Sequence, residues 1–120
     1  MNQELKMVME FHRKFQVPVA DTPNLIPEDR SELRYKMIDE EVEEYKVGVE
    51  KKDLENIAKE LTDILYATYG TILEHGLQDK MGEIFAEVHR SNMSKEYHPH
   101  KVQKGVNFSK AELGEILSKK

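Results

Sequence analysis

Cysteine is absent from this chain, so neither a disulfide frame nor a thiolate metal site is open to it. No apolar run approaches the length of a bilayer span. The start, Met1-Asn2-Gln3-Glu4, has neither the basic residues nor the apolar stretch of a secretion signal. The expectation is a cytoplasmic protein with no membrane partner. Proline is scarce: Pro18, Pro23 and Pro27 share one loop and Pro99 lies in the tail, and between them nothing breaks a helix strongly. No stretch alternates apolar and polar residues long enough for a convincing strand, and there is no internal repeat or low-complexity segment. Positive charge is the minority sign, 18 Lys and Arg against 23 Asp and Glu, for a net charge of −5. That disfavours a nucleic acid as partner. It leaves room for a single nucleotide, because a metal ion can reverse the local sign.

What remains is a sequence of helices. At 120 residues the chain is expected to form one domain over 1–120. Leu5, Val8, Met9, His12 and Phe15 recur at helical spacing and predict a helix over 2–16. A loop over 17–27 follows. The next helix is expected from Glu28 to Glu50, its first turn acidic. Asp53 is a candidate N-cap for a third helix ending near Glu74, with Gly76 as its stop. Met81, Ile84, Phe85 and Val88 predict a fourth. The segment from Tyr97 to Asn107 reads as irregular, and Ser109-Lys110-Ala111-Glu112 as a capping box that opens a short last helix.

The acidic residues carry the chemistry. Glu40-Glu41-Val42-Glu43-Glu44 in the second helix is most simply a solvated charge run. A helical wheel says otherwise. With Leu33 at zero, Glu41 falls at about 80° and Glu44 at about 20°, inside the arc of Met37, Tyr45, Ile38, Val49 and Val42. Glu40 lies at the edge of that arc. In the third helix, Glu60 and Asp63 stand one turn apart, directly before ILYATYGTIL, a run without charge. The expected core stripe is Leu54, Ile57, Ala58, Leu61, Ile64, Leu65 and Ile72. Beside it runs a second strip of Glu60, Asp63, Ala67, Gly70 and Thr71, small above the carboxylates. It suits either close helix packing or room for a ligand.

An unpaired buried carboxylate costs several kcal/mol. Arg34 and Lys59 can pair with one or two of these four, and a divalent metal answers the rest. Spacing of i, i+3 in Glu41/Glu44 and in Glu60/Asp63 brings two carboxylates of each helix to one ion. All-oxygen ligation selects a hard cation, Mg²⁺ with Mn²⁺ as substitute. A di-iron bundle would need a Glu-x-x-His pair on two helices, and His12, His75, His89, His98 and His100 supply none. Mg²⁺ keeps positions for water and phosphate, which points to phosphoryl or nucleotidyl chemistry.

Glu40-Glu41-x-x-Glu44, fifteen intervening residues and Glu60-x-x-Asp63 resemble the EExxE…ExxD signature of the all-alpha NTP pyrophosphatases. That superfamily includes MazG-like enzymes, dimeric dUTPases and phosphoribosyl-ATP pyrophosphohydrolases. Ala58 to Tyr66 is similar to the family's ExxDxLY core. Val88 to Lys95, with its SNMSK string, resembles a downstream block of one MazG-like branch, as Lys101-Val102-Gln103-Lys104-Gly105 and Phe108 resemble its tail. Glu10-Phe11-His12 and Pro18 also fit. His98-Pro99-His100 departs from the pattern, where an Asp-Gly turn is expected.

The resemblance implies an all-α, four-helix MazG-like bundle with a short extra C-terminal helix, forming oligomers. It implies hydrolysis between the α- and β-phosphates of a nucleoside triphosphate, with Glu41, Glu44, Glu60 and Asp63 as metal ligands. Glu40, with Glu41, is the candidate to orient or deprotonate the attacking water, or Glu40 joins a further ion. Asn92 and Lys95 would face the substrate, with Lys59, His12 and Phe15 at its border. Phosphoribosyl-ATP is the alternative substrate; an acidic metal-binding interaction module is the non-enzymatic alternative. The third helix is apolar around much of its circumference, which predicts a homodimer or a dimer of dimers.

Overall fold

The computed structural model describes residues 1–119. The order of elements is α1 (Gln3–Lys14), α2 (Glu28–Glu50), α3 (Leu54–Glu74), α4 (Met81–Met93), β1 (Glu96–His98), β2 (Lys101–Gln103) and α5 (Gly114–Ser118). The protein is all-α but for one two-stranded ribbon. It divides into two compact units, Asn2–Gln78 and a second that begins at Asp79.

In the first unit each helix starts and stops for a local reason. Asn2 accepts the Leu5 N–H at 2.7 Å to cap α1, and Asp53 accepts the Asn56 N–H at 3.1 Å to cap α3. All three helices end in the same turn. Gln16, Lys52 and Gly76 each take a positive φ, of 58°, 54° and 68°. The next N–H reaches back in each case, Val17 to His12, Asp53 to Gly48 and Leu77 to Ile72, which is the Schellman closure. At the second of these turns Asp53 both closes α2 and caps α3, so only Lys51–Asp53 separates them and the two helices run antiparallel.

The core joins α1 to the end of α3. Leu5, Val8, Met9 and Leu73 are buried, with Val19, Tyr69 and Ile72 packed against them. The 17–27 loop is tied to the same end: Ala20 N–H donates to the Leu73 carbonyl, Asn24 N–H to that of His75, and the Gln78 side-chain amide to that of Ala20.

Two expectations about faces are corrected. On α3 the residues expected in the core, Leu54, Leu61 and Leu65, are 78%, 47% and 53% exposed. The small strip is the buried face, with Glu60, Ala67 and Gly70 inside. Close approach to α2 selects small side chains, and the leucines are turned outward. On α2 the apolar arc is likewise open at Leu33, Val42 and Val49, and Glu44, expected inside it, is exposed.

In the second unit the tail is more ordered than expected. Glu96–His98 and Lys101–Gln103 pair antiparallel, Tyr97 opposite Val102. Three-residue strands are too short to show an alternating pattern. Pro99 and His100 make the turn with negative φ, where an Asp-Gly pair would use the left-handed region. The capping box at Ser109–Glu112 does not form, and α5 begins later, at Gly114. Those residues bind α4 instead. Arg90, paired to Glu87 at 2.7 Å, donates to Ser109 Oγ and the Lys110 carbonyl. Glu87 accepts the Glu112 N–H at 2.8 Å, and these donors hold its carboxyl down to about 2.

The α3 stop gives a direct test. A Cβ at Gly76 would overlap the Thr22 carbonyl, and φ there is 68°. Gly76→Ala should cost about 1–3 kcal/mol in chemical denaturation. Lys52→Gly, at the same backbone conformation on an exposed turn, should stay within about 1 kcal/mol of the parent.

Candidate active site

The antiparallel pairing sets α2 and α3 against each other level by level. At one level Glu41 and Glu44 of α2 meet Glu60 and Asp63 of α3. One carboxylate oxygen from each of these four lies within 4.8 Å of the other three. Glu60 is buried, Glu41 and Asp63 are half-buried, and Glu44 is exposed. Glu41 Oε2 and Glu60 Oε2 are buried with no hydrogen-bond partner among the described residues. Orphaned buried oxygens are rare in folded proteins. Two of them, on residues that belong to a cluster of hard oxygen donors, fit a divalent cation.

Electrostatics agree with that fit. The Glu41 carboxyl is pushed up to about 7. Burial is the main cause, followed by its approach to the Glu60 carboxylate, which a shared proton would bridge, and by the charges of Glu44, Asp63 and Glu60. Glu44 is also raised, chiefly by Glu60. The nearby cation is Lys59, 2.8 Å from Asp63 and 3.7 Å from Glu60. It is two-thirds exposed, so its compensation is screened by water.

One level along, Arg34 takes the place expected to be open. It was expected to pair with the acidic cluster, and it does not. Its Nη1 lies 3.3 Å from Glu74 Oε2, its Nε donates to Thr71 Oγ1 at 3.1 Å and its Nη2 to the Ala67 carbonyl at 2.9 Å. Arg30 grips the same Glu74 with two bonds, of 2.9 and 2.7 Å. Gly70 is needed here, since a Cβ would overlap Arg34 Nη2 and crowd His12 Nε2. His12 is buried, and its Nδ1 lies 3.0 Å from the Pro18 carbonyl. A carbonyl only accepts, so Nδ1 carries the proton. Desolvation lowers the pKa of the ring and favours the neutral form.

Between these polar levels a cavity of about 380 Å³ opens, lined by Phe11, His12, Leu33, Arg34, Met37, Tyr66 and Ala67 and reaching Glu41 and Asp63. An apolar, aromatic-walled space that ends on carboxylates suits a base or sugar whose phosphates reach the acidic cluster.

The sequence-predicted residues distribute as follows. Glu41, Glu44, Glu60 and Asp63 come together. Glu40 is exposed on α2 and outside that group of four. Lys59 is engaged with the carboxylates. His12 lines the cavity; Phe15 does not, being 57% exposed and tilted against Phe11 at 4.7 Å. Asn92 and Lys95 lie in the second unit, one exposed and one half-buried, at the end of α4. Of the wall residues, Phe11 and Tyr66 stand in the sequence only as parts of the family motifs, with no site role, and Arg30 is not singled out. Phe11 had a signal, as the residue beside His12. Arg30, one turn before Arg34, had none beyond its charge.

A helical pair holding four facing carboxylates beside an aromatic-walled cavity suits a metal-dependent enzyme of phosphorylated substrates. The sequence matches the family phosphoribosyl-ATP pyrophosphohydrolase over residues 8–92, and the chain belongs to that family, within the all-alpha NTP pyrophosphatase superfamily. It is therefore a pyrophosphohydrolase, a hydrolase of phosphoric anhydrides that acts on phosphoribosyl-ATP or a nucleoside triphosphate. The family is metal-dependent, and the acidic cluster is the place that could hold the metal. No curated protein matches the chain. No helix among the described residues is long and apolar enough to cross a membrane.

The raised Glu41 carboxyl predicts a pH signature. Its ordinary value is 4.5 and its folded value about 7, so between these the folded state binds the extra proton. Its contribution to stability is favourable at low pH and is lost as pH rises toward 7. His12, lowered from 6.5, works in the opposite sense, so the comparison must be differential. In chelator, Glu41→Gln should melt above the parent at pH 8, and the gap should narrow toward pH 5. A gap independent of pH would contradict the crowding of carboxylates.

Proposed function

We propose that this chain, as one pyrophosphohydrolase domain over 1–120, cleaves a nucleoside triphosphate between its α- and β-phosphates. The products are a nucleoside monophosphate and pyrophosphate, and the setting is cytoplasmic nucleotide house-cleaning. The observation that carries the reading is the convergence of four carboxylates, two with orphaned buried oxygens, on the end of the cavity.

Glu41, Glu44, Glu60 and Asp63 are the proposed ligands of Mg²⁺, with Mn²⁺ as substitute. When bound, the metal neutralises phosphate charge and lowers the pKa of water. Glu40, exposed beside Glu41 in sequence and outside the group of four, is proposed with Glu41 to orient the attacking water or accept its proton. Lys59 leaves Asp63 once the carboxylates are otherwise neutralised and can then turn to a phosphate. His12 with Phe11 and Tyr66 encloses the base, and Asn92 and Lys95 are proposed phosphate contacts. The leucine face of α3, open at Leu54, Leu61 and Leu65, is the proposed contact of a homodimer or dimer of dimers.

Phosphoribosyl-ATP is the second reading, favoured by the description of the matched family. Incubation with canonical and deoxy nucleoside triphosphates and with phosphoribosyl-ATP separates the two by which one releases pyrophosphate. Orthophosphate as the first product from all of them would refute the cleavage position.

Asp63→Asn separates function from stability. It should lower turnover by about a hundredfold or more, since loss of a ligand exceeds the loss from its supporting shell. In chelator it should melt close to the parent: the lost pair with Lys59 is worth at most about 1 kcal/mol at such an exposed site, and one repulsive charge goes with it. Excess Mg²⁺ should stabilise the parent and not the variant. For assembly, light scattering is expected to report at least twice the 14.0 kDa of one chain.

A further inference from the structure

The acidic level and the arginine level are parts of one ladder. On α3, Glu60, Ala67 and Glu74 are spaced by seven and lie along one line of the buried face. On α2, Arg34 and Glu41 have the same spacing, about 10 Å along the axis. Both helices therefore present first the lock, Arg34 with Ala67, Thr71 and Glu74, and then the four carboxylates.

The carboxylates cannot hold this register themselves. Like charges within 4.8 Å of one another repel, and the repulsion grows as water is excluded. Lys59 sits at the exposed edge and offsets little of it. Around the turn, the buried position on α2 is Gly48, which has no side chain with which to fix the register. Directional force across α2 and α3 comes from Arg34, whose side chain is 6% exposed, and Glu74, whose side chain is 1% exposed, with the more exposed Arg30 adding two hydrogen bonds to the same Glu74. Arg34 makes two hydrogen bonds, to Thr71 and Ala67, and an ion pair with Glu74, on successive turns of α3. Sliding α2 by one turn, or rotating it, would forfeit all of them. A guanidinium has the fixed fork that such a register needs; an ammonium does not. Gly70 lacks a side chain where the guanidinium lies.

We infer that the Arg34–Glu74 lock is a positioning device that holds Glu41 and Glu44 against Glu60 and Asp63 at the spacing a divalent ion requires. The inference rests on the metal-binding reading above. Glu74 lines no part of the cavity, so its effect on the metal passes through Arg34 and Arg30 and the helix register.

The test is direct binding of Mn²⁺, read by electron paramagnetic resonance without nucleotide, well below the melting temperature of each protein. Glu74→Gln keeps the shape and removes the charge. It should weaken Mn²⁺ binding by about 10–100-fold, the range for residues that orient metal ligands, while circular dichroism stays helical. Arg34→Lys should also lose affinity, since an ammonium cannot serve all three partners. Thr71→Val, which removes only the Nε acceptor, should lose less and covers the case in which Glu74→Gln does not fold. In turnover the Mg²⁺ concentration for half activation should rise in Glu74→Gln, with KM for nucleotide at saturating Mg²⁺ little changed. A merely structural ion pair would lower the melting temperature and leave Mn²⁺ affinity as in the parent; that result would overturn the inference. If the parent itself binds no Mn²⁺, the metal-binding reading falls, and the inference with it.

Discussion

The structure of the first unit turns on the close approach of α2 and α3, and that approach is possible because α3 turns its small side chains inward. Ala67 and Gly70 let the Arg34 guanidinium lie flat against α3. Glu74 anchors it at one end, and Glu60 and Asp63 face the other helix at the other end. Attraction at one end and repulsion at the other then occupy a single interface. A buried ion pair of this kind adds little net stability, because desolvation opposes the Coulomb gain. What it supplies is a register, and the acidic cluster exists only at that register.

The cavity follows from the same geometry. Arg34 forms part of its wall, and α1 closes another side with Phe11 and His12. The 17–27 loop returns to the end of α3 and supplies the Pro18 carbonyl that fixes the His12 tautomer. Apolar walls, a polar end with defined donors and acceptors, and an acidic end thus come from three helices and one loop. The family match over 8–92 and the geometry of the site point to the same chemistry.

Much of this was legible in the sequence, for reasons that differ by element. The bounds of α2 and α3 could be read because Glu28, Asp53 and Gly76 are local signals whose physics is complete within a few residues. The four carboxylates could be read because acids at core spacing are costly enough to need a reason. The burial of α3 could not, because a wheel shows which face is apolar and not which face meets a neighbour. The small strip was seen, but the residue that fills it, Arg34, was assigned to the wrong carboxylates: its true partner, Glu74, is 40 positions away in the chain. The ribbon at 96–103 was missed since its strands are three residues long. The capping box failed because Glu87 accepts the Glu112 N–H and Ser94 Oγ the Ser109 N–H, tertiary contacts that no local motif reveals.

The short turn at Lys51–Asp53 has a consequence for loop closure. All four clustered carboxylates fall between residues 41 and 63, inside one helical hairpin, so bringing them together closes a loop of minimal entropy. The Arg34–Glu74 contact spans a longer loop, and the α1 core spans nearly the whole unit. The two ends of the interface therefore differ in chain entropy: the repulsive end closes the short loop and the attractive end the long one. The connection that brings the like charges together is the least costly in the unit, and the buried arginine has to be reached across a longer span of chain.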